Sequence, residues 1–454
     1  MEENKKVKVK NWVKESLTLR MFTVGFLIIV MLIPLSYIKV LIRERKQNQE
    51  NVIAKIDKNW GNEVLIYGPI LKIPYKYYTK ETTQNEQTKK YYTTTTEHTD
   101  VAFFFPEILN EKVSIKTQER HLGMYKEMVF NSENKITGSF GIPDFKTLDI
   151  KEKDIIWDKA KIIINTSNLK GITSQVEIGI NDKKYAFKPL YNDKKTSYNS
   201  GIISHTLVSS FLEETSIPTD KSINFTLNLP INGSKQFRII PIGKETKMNI
   251  KSNWTTNEFV GNFSPIEAEK VSENGFNKNW KVLHINRPFS QQFTEKLPNL
   301  NEFAFGVNFR TTVNEYQKNT RAVKYGFLLI GLTFLIFFLI QSISKINIHP
   351  FQYLMIGVAL TMFYTLLIAI TEHSDFQKAY IIAGTSVVLL ISLYSKSILK
   401  NIKFPMLIGG SLASLYTFIY VIIQLENYAL LVGSIGLFFI LAIVMYVSRK
   451  IKWS

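Results

Sequence analysis

Six stretches of this chain carry no charged residue: Met21 to Ile38, Tyr325 to Ser344, Ile346 to Thr371, Ala379 to Ser395, Phe404 to Leu425 and Asn427 to Ser448. Each falls near the roughly 17–25 residues that a hydrocarbon layer demands of a crossing helix. The third effectively begins at His349-Pro350, because proline suits the first helical turn. A buried helix of a water-soluble protein would show a polar stripe every three or four residues. Phe334 to Ile340 and Leu437 to Val447 show none. The pattern therefore predicts a membrane protein of α plus β class, with one N-terminal anchor (residues 21–42) and a C-terminal bundle of five transmembrane helices (323–448).

Between them, residues 43–322 lack any such run and alternate with period two. Val101 to Phe105, Val113 to Lys116, Ile162 to Asn165, Val176 to Ile180, Ile223 to Leu229, Arg238 to Ile242, Met248 to Lys251, Val282 to Ile285 and Phe303 to Phe309 read as strands. Gly141-Ile142-Pro143-Asp144, Asn181-Asp182 and Asn232-Gly233 separate them, and Asn232-Gly233 is the sharpest hairpin signal. The block reads as packed sheets, a large mainly-β domain. Asn48 to Asn59 should continue the first span as helix, and Leu207 to Glu214 has a short helical pattern. Thr79 to Thr99, polar and threonine-rich, reads as an exposed hairpin or loop, with a glycan-binding arm as the less favoured alternative.

Charge orients this layout. If the N-terminus is cytoplasmic, the inside segments carry Lys5, Lys6, Lys8, Lys10, Lys14 and Arg20, then Lys345, then Lys396, Lys400 and Lys403, then Arg449, Lys450 and Lys452. The short outside loops hold only Lys378 beside Glu372, Asp375 and Glu426. This asymmetry places both tails (1–20 and 449–454) in the cytoplasm and exports residues 43–322. Ser36-Tyr37-Ile38-Lys39-Val40 offers no small-residue cleavage site, so the first span reads as a retained anchor.

The net charge of +18 does not signal nucleic acid. Residues 43–322 hold 40 Lys+Arg against 32 Asp+Glu, a balance of +8, and the remaining excess sits at the membrane flanks, where anionic lipid head groups account for it. The chain has no cysteine, which excludes disulfides, thiolate metal sites and thiol nucleophiles. Asn165, Asn224, Asn232, Asn253 and Asn262 lie in Asn-x-Ser/Thr triplets, a loose signal in an Asn- and Thr-rich chain.

Catalytic machinery is not visible. His98, His121, His205 and His284 are scattered without metal-ligand spacing, and His349 and His373 stand ~36 Å apart along a helix, too far to share one ion. No Gly-x-Ser-x-Gly, Walker, HExxH or dinucleotide motif occurs, and no ionisable residue lies in mid-span, where coupled transporters usually carry one. Glu372-His373-Ser374-Asp375 is the densest titratable cluster near the membrane; it reads as a polar turn closing a helical hairpin, with pH sensing or cation binding as the alternative. Gln352, Tyr353, Gly357, Thr361 and Tyr364 share about one face of the third span, and Gly409, Gly410, Ala413 and Ser414 give the fifth a small-residue surface; both read as helix packing.

The junction Val313-Asn314-Glu315-Tyr316-Gln317-Lys318-Asn319-Thr320-Arg321-Ala322-Val323-Lys324-Tyr325-Gly326 places basic residues at the outer end of a span. Together with Ile348-His349-Pro350-Phe351-Gln352-Tyr353 and the Glu372-His373 turn, it resembles the CreD family of bacterial inner-membrane proteins. Gly68-Pro69-Ile70-Leu71-Lys72-Ile73-Pro74-Tyr75, Ile239-Ile240-Pro241-Ile242-Gly243-Lys244-Glu245-Thr246, Asn253-Trp254, Phe259-Val260-Gly261-Asn262-Phe263 and Trp280 extend the likeness from about residue 20 to the end of the last span. The resemblance implies one anchor, a periplasmic domain and a multi-span bundle, and a link to cell-envelope integrity and envelope stress, including that provoked by β-lactams. It supplies no catalytic residues.

The expectation is a non-enzymatic envelope protein without cofactor. Its partners would be membrane lipids and an envelope protein or glycan, not nucleic acid. Tyr316, Arg321, Lys324 and Tyr325 would couple the exported domain to the bundle, the tyrosines suiting the interfacial belt and the cations reaching head groups. Glu372, His373 and Asp375 form the outer-loop polar cluster. A lipid or small-molecule transporter or channel subunit, with a polar cavity reached from Gln352, Tyr364 and Gln424, is the alternative. An exported hydrolase is a third reading that no residue supports.

Overall fold

The computed structural model describes residues 17–84, 89, 91–190, 205–255, 258–266, 275–309, 315–344, 346–399, 402–425 and 428–449. The tail lysines up to Lys14, the tip of the Thr79 to Thr99 stretch at 85–88 and 90, Val313 and Asn314 of the junction, Lys345, Lys400, Glu426, Lys450 and Lys452 lie outside the described residues. The chain divides into two compact units, one of Met1–Asn51 with Val313–Ser454 and one of Val52–Thr312.

The helical unit contains most of α1 (Leu17–Trp60), then α2 (Glu315–Lys324), α3 (Gly326–Ser344), α4 (Pro350–Thr371), α5 (Phe376–Ile398), α6 (Lys403–Gln424) and α7 (Ala429–Ser448). Six of these, α1 and α3 to α7, are long and apolar enough to cross a membrane. The expected extension of the first span across Asn48 to Asn59 is helix throughout. Small residues let α1 enter the bundle: a Cβ on Gly357 would collide with Met31 Sδ at 2.6 Å, and one on Gly326 with Leu35 Cδ1 at 2.7 Å. In the small-residue surface of α6, Gly409 meets Ser392, whereas Gly410 faces open space and Ala413 and Ser414 are exposed. Close helix contact thus holds there at one position only.

The second unit is a β domain. Its strands are β1 (Val64–Gln84), β2 (Tyr91–Phe104), β3 (Ile108–Leu122), β4 (Tyr125–Phe140), β5 (Lys161–Thr166), β6 (Glu177–Ile180), β7 (Lys183–Pro189), β8 (His205–Ser209), β9 (Ile223–Asn228), β10 (Ile231–Ser234), β11 (Gln236–Ile239), β12 (Glu245–Ser252), β13 (Glu258–Val260), β14 (Phe276–Leu283), β15 (Gln292–Thr294) and β16 (Phe305–Asn308). Hydrogen bonding links them in the order β13-β16-β11-β1-β5-β8-β7-β6-β9-β4-β3-β12-β14, with β2, β10 and β15 attached at the side. β7 pairs with β8 on one side and β6 on the other, so it is where the sheet turns from one layer to the next. The layers close on one apolar core: Phe130 of β4 meets Phe237 of β11 at 6.4 Å, and Trp280 of β14 meets Phe305 of β16 at 6.0 Å. Alternation selects the inward residues, as in β9, where Ile223, Phe225 and Leu227 are buried and Asn224, Thr226 and Asn228 exposed.

Three local expectations are corrected. Leu207 to Glu214 is not helical: its first residues complete β8, whose Leu207 pairs with Ile164 and is buried, because β-branched and apolar alternation at His205–Ser209 outweighs the short helical period. Asn232-Gly233 is no hairpin turn. Both residues lie inside β10, paired with Asn131 and Phe130 of β4, and Gly233 is needed because a Cβ there would strike Val64 and Phe130. The left-handed residue is Lys235, φ +60°, where the chain leaves the β4 layer for β11 in the other. Strand ends are trimmed: Arg238 to Ile242 is strand only to Ile239, Val282 to Ile285 only to Leu283, where a 3-10 turn follows, and Phe303 to Phe309 only over Phe305–Asn308. The Thr79 to Thr99 stretch forms the exposed ends of β1 and β2, paired as far as Gln84 and Tyr91, with Tyr77 stacked on His98 at 5.1 Å and Lys76 bridged to Glu97 at 2.8 Å.

Candidate functional site

The predicted junction residues fall on α2, a separate short helix, and on the break that follows it. Tyr325 ends the turn, donating its N–H to Ala322 O at 3.2 Å before α3 begins. Tyr316 is buried, Arg321 half-buried, Lys324 exposed and Tyr325 half-buried. Helix termini expose unpaired N–H groups at one end and carbonyls at the other. α2 meets one of each: Glu315 accepts from Phe376 N at 3.1 Å, the first residue of α5, and the Arg321 guanidinium donates to Ile423 O at 3.4 Å, near the end of α6. An anion at a helix N-terminus and a cation at a C-terminus complement the dipole. Lys318 lies 5.8 Å from the Phe376 ring centroid, adding a third contact to the same end of the bundle.

The outer-loop cluster shares that end. Glu372 follows α4 and is held by Arg45 of α1 at 3.5 Å, with a largely buried side chain. Asp375 precedes α5 and pairs with Lys378 at 3.2 Å, both well exposed, and His373 is exposed. The structure therefore brings the two predicted groups together through Glu315 and Phe376. Glu315 and Arg45 were not singled out from the sequence. The first was signalled by an acid opening a short polar segment before an apolar span, the second only by tertiary pairing.

The bundle interior is aromatic. Phe363 contacts Tyr364, Tyr380 and Tyr416 at 4.8, 5.2 and 4.7 Å between centroids, and the Tyr380 hydroxyl donates to Tyr416 O at 2.9 Å. Nearer the other end Tyr353 donates to Gln341 Oε1 at 2.8 Å, and His349 caps α4 by accepting from Phe351 N at 3.2 Å. Of the three residues named for a polar passage, Tyr364 is buried in the aromatic cluster, Gln352 lies in the first turn of α4, and Gln424 is exposed at the end of α6.

The β domain holds its own charged centre where α1 ends. Asp57 is buried and receives Lys235 Nζ at 2.6 Å. Glu127 of β4, also buried, stands beside them; burial and then the Asp57 charge push its carboxyl up to about 7 against the pull of Lys235. Trp60 donates Nε1 to Phe130 O at 3.2 Å and stacks under Arg120 at 4.4 Å, so the last turns of α1 cover the outer side of the β3–β4 hairpin. Elsewhere Glu111 of β3 points into the core opposite Ile136 and Met248, and burial alone pushes it up to about 8. Among the described residues no group of three or more histidine, aspartate and glutamate side chains is placed to hold a metal ion.

A family model described as "Inner membrane protein CreD" matches residues 16–454. The chain belongs to the CreD family. It is 28% identical to the inner membrane protein CreD of Escherichia coli (strain K12) over 94% of this chain and 91% of that protein. The match spans both units, so the order found here, an apolar N-terminal helix, a mainly-β middle and five apolar C-terminal helices, is that of a CreD-family inner membrane protein. Within this CreD-family chain Glu315 and Arg321 are the residues that knit α2 to the spans.

Proposed function

We propose that this CreD-family protein is a non-enzymatic component of cell-envelope integrity and the envelope stress response, with both termini cytoplasmic and residues 43–322 periplasmic. The β domain contacts envelope partners, and α2 with the end of α1 ties that domain's two chain connections to the bundle. The observation that carries this reading is the fastening of α2: Glu315 at the start of α5, Arg321 at the end of α6, and Arg45 on Glu372 between α1 and α4. The chain passes between its two units twice, within α1 and before α2. The basic cytoplasmic flanks support the orientation. The aromatic filling around Phe363 favours an anchor over a conduit, since a polar passage from Gln352 to Gln424 would have to cross it.

Arg321→Glu tests the coupling role. It puts a carboxylate against the carbonyl end of α6, costing about 1 kcal/mol locally, too little to prevent insertion. Cells carrying it should show normal membrane levels and raised sensitivity to detergent and β-lactam. Unchanged sensitivity at normal levels would reject the role for α2.

A further inference from the structure

We propose that the outward face of β3, β4, β12 and β14 binds an anionic polysaccharide. Strand register puts Lys112 directly across from Lys135, and Lys247 directly across from Lys281, with Asn249 and Asn279 completing the Lys112 row. Directly opposed side chains of like charge destabilise a sheet. The Lys247–Lys281 pair is relieved by Glu245, at 2.7 and 3.5 Å from the two ammonium groups. No such relief reaches Lys112 and Lys135, which form no ion pair among the described residues; the nearest acid on their face, Glu133, lies one row away, and Lys251 adds a further cation beside it. The opposed Lys112–Lys135 pair is a cost to the fold that a bound anion removes.

A groove of about 430 Å³ opens over this face, lined by Lys112, Lys247, Lys281 and the amides of Asn249 and Asn279, with Ile266 at its side. The amides already form a ladder, Asn249 Nδ2 donating to Asn277 Oδ1 at 2.7 Å and Asn279 Oδ1 at 2.8 Å, and the free valences of such groups suit sugar hydroxyls. Among the described residues the exposed large apolar side chains of this face, Ile108, Leu122 and Ile266, stand apart from the lysine row or at its edge and include no aromatic ring. A protein partner would be met by aromatic anchors and few lysines, and a bilayer by residues able to insert. A hydroxyl-rich chain bearing carboxylate or phosphate groups is what remains.

This names the partner class for the envelope-facing domain proposed above and rests on that reading for its setting. Its test is made in vitro, so its failure leaves the role of α2 untouched. The full-length protein in detergent micelles should bind polygalacturonate, weakening about tenfold or more between about 20 and about 200 mM salt. Lys112→Glu with Lys281→Gln should lower that affinity at least about tenfold while leaving the melting temperature nearly unchanged, because the new carboxylate at 112 faces Lys135 and Lys247 keeps its pairing with Glu245. Equal binding by wild type and variant, no binding at low salt, or equal binding of neutral dextran would overturn the proposal. Poly-glutamate bound as tightly as the polysaccharide would overturn it in favour of an acidic protein partner.

Discussion

In β9 of the β domain every second residue is buried, whereas α7 of the helical unit, apolar along its whole length, has no buried residue at all. The same apolar side chains thus carry opposite information in the two units. Where water is the solvent, an apolar residue must find the core, so alternation identifies the inner face. Where hydrocarbon is the solvent, apolar residues are at home outside, and the interior is marked instead by small residues and aromatic rings such as Gly357, Phe363 and Tyr416.

The comparison is broken most sharply by truncating one large ring in each unit. Trp280 is fully buried against Phe259 at 5.6 Å and Phe305 at 6.0 Å, and donates Nε1 to Phe263 O at 3.2 Å. Trp280→Ala should cost the β domain about 3–5 kcal/mol, read as a large fall in its melting temperature. Phe438 on α7 is 69% exposed, and Phe438→Ala should cost less than about 0.5 kcal/mol in detergent. A comparable loss for Phe438→Ala would mean that α7 packs against protein rather than lipid.

A smaller effect separates the units by pH. Glu111 sits opposite Ile136 and Met248, and its Oε2 finds no partner among the described residues. Burial pushes it up to about 8, and burial with Asp57 pushes Glu127 up to about 7. Both acids therefore keep their protons in the folded chain after the unfolded chain has lost them. The folded state binds more protons across this window, so β-domain stability should fall as pH rises from roughly 4.5 to roughly 8 and level off beyond. Glu111→Leu should raise stability by about 1–3 kcal/mol at pH 8, less at pH 5, and flatten the upper part of the fall. Melting curves of both proteins between pH 4.5 and 9 check this; parallel profiles would show that Glu111 is not the titrating group.

Much of this was legible in the sequence for the same reason that the units differ. Span positions follow from length and charge alone, and strands such as β9 and β12 follow from alternation against water. β1 was missed although Gly68-Pro69 and Pro74 can both be accommodated in a strand: Pro69 lies where the pairing with β5 shifts between Tyr67 and Ile70, and Pro74 lies beyond the β5 pairing, opposite Val101 of β2. Asn232-Gly233 misled because the same dipeptide that suits a tight turn also suits a strand pressed against Phe130. Of the junction, sequence supplied Tyr316, Arg321 and the Glu372 to Asp375 turn but not their meeting. That depends on Glu315 reaching Phe376 N and Arg45 reaching Glu372, contacts between residues 61 and 327 positions apart that no local pattern encodes.

The smallest predicted effect concerns a polar group on the helical side. Asn319 of α2 is 1% exposed, and among the described residues neither its Oδ1 nor its Nδ2 meets a hydrogen-bonding group. Glu111 and Asn319 are thus the same kind of defect in two solvents. In the β domain the unfolded reference is water, which would satisfy the carboxylate fully, so burial is costly. In the helical unit the reference is a separated helix in the bilayer, where the amide is poorly satisfied already, so the penalty for burying it should be muted. Asn319→Leu, close in volume and without a polar end, should stabilise the bundle by only about 0.5–1 kcal/mol, measured as resistance of the full-length protein to detergent denaturation. A gain matching that of Glu111→Leu at pH 8 would show that α2 separates from the spans into water, and a loss would show that the amide is held by a group outside the protein, such as a lipid head group.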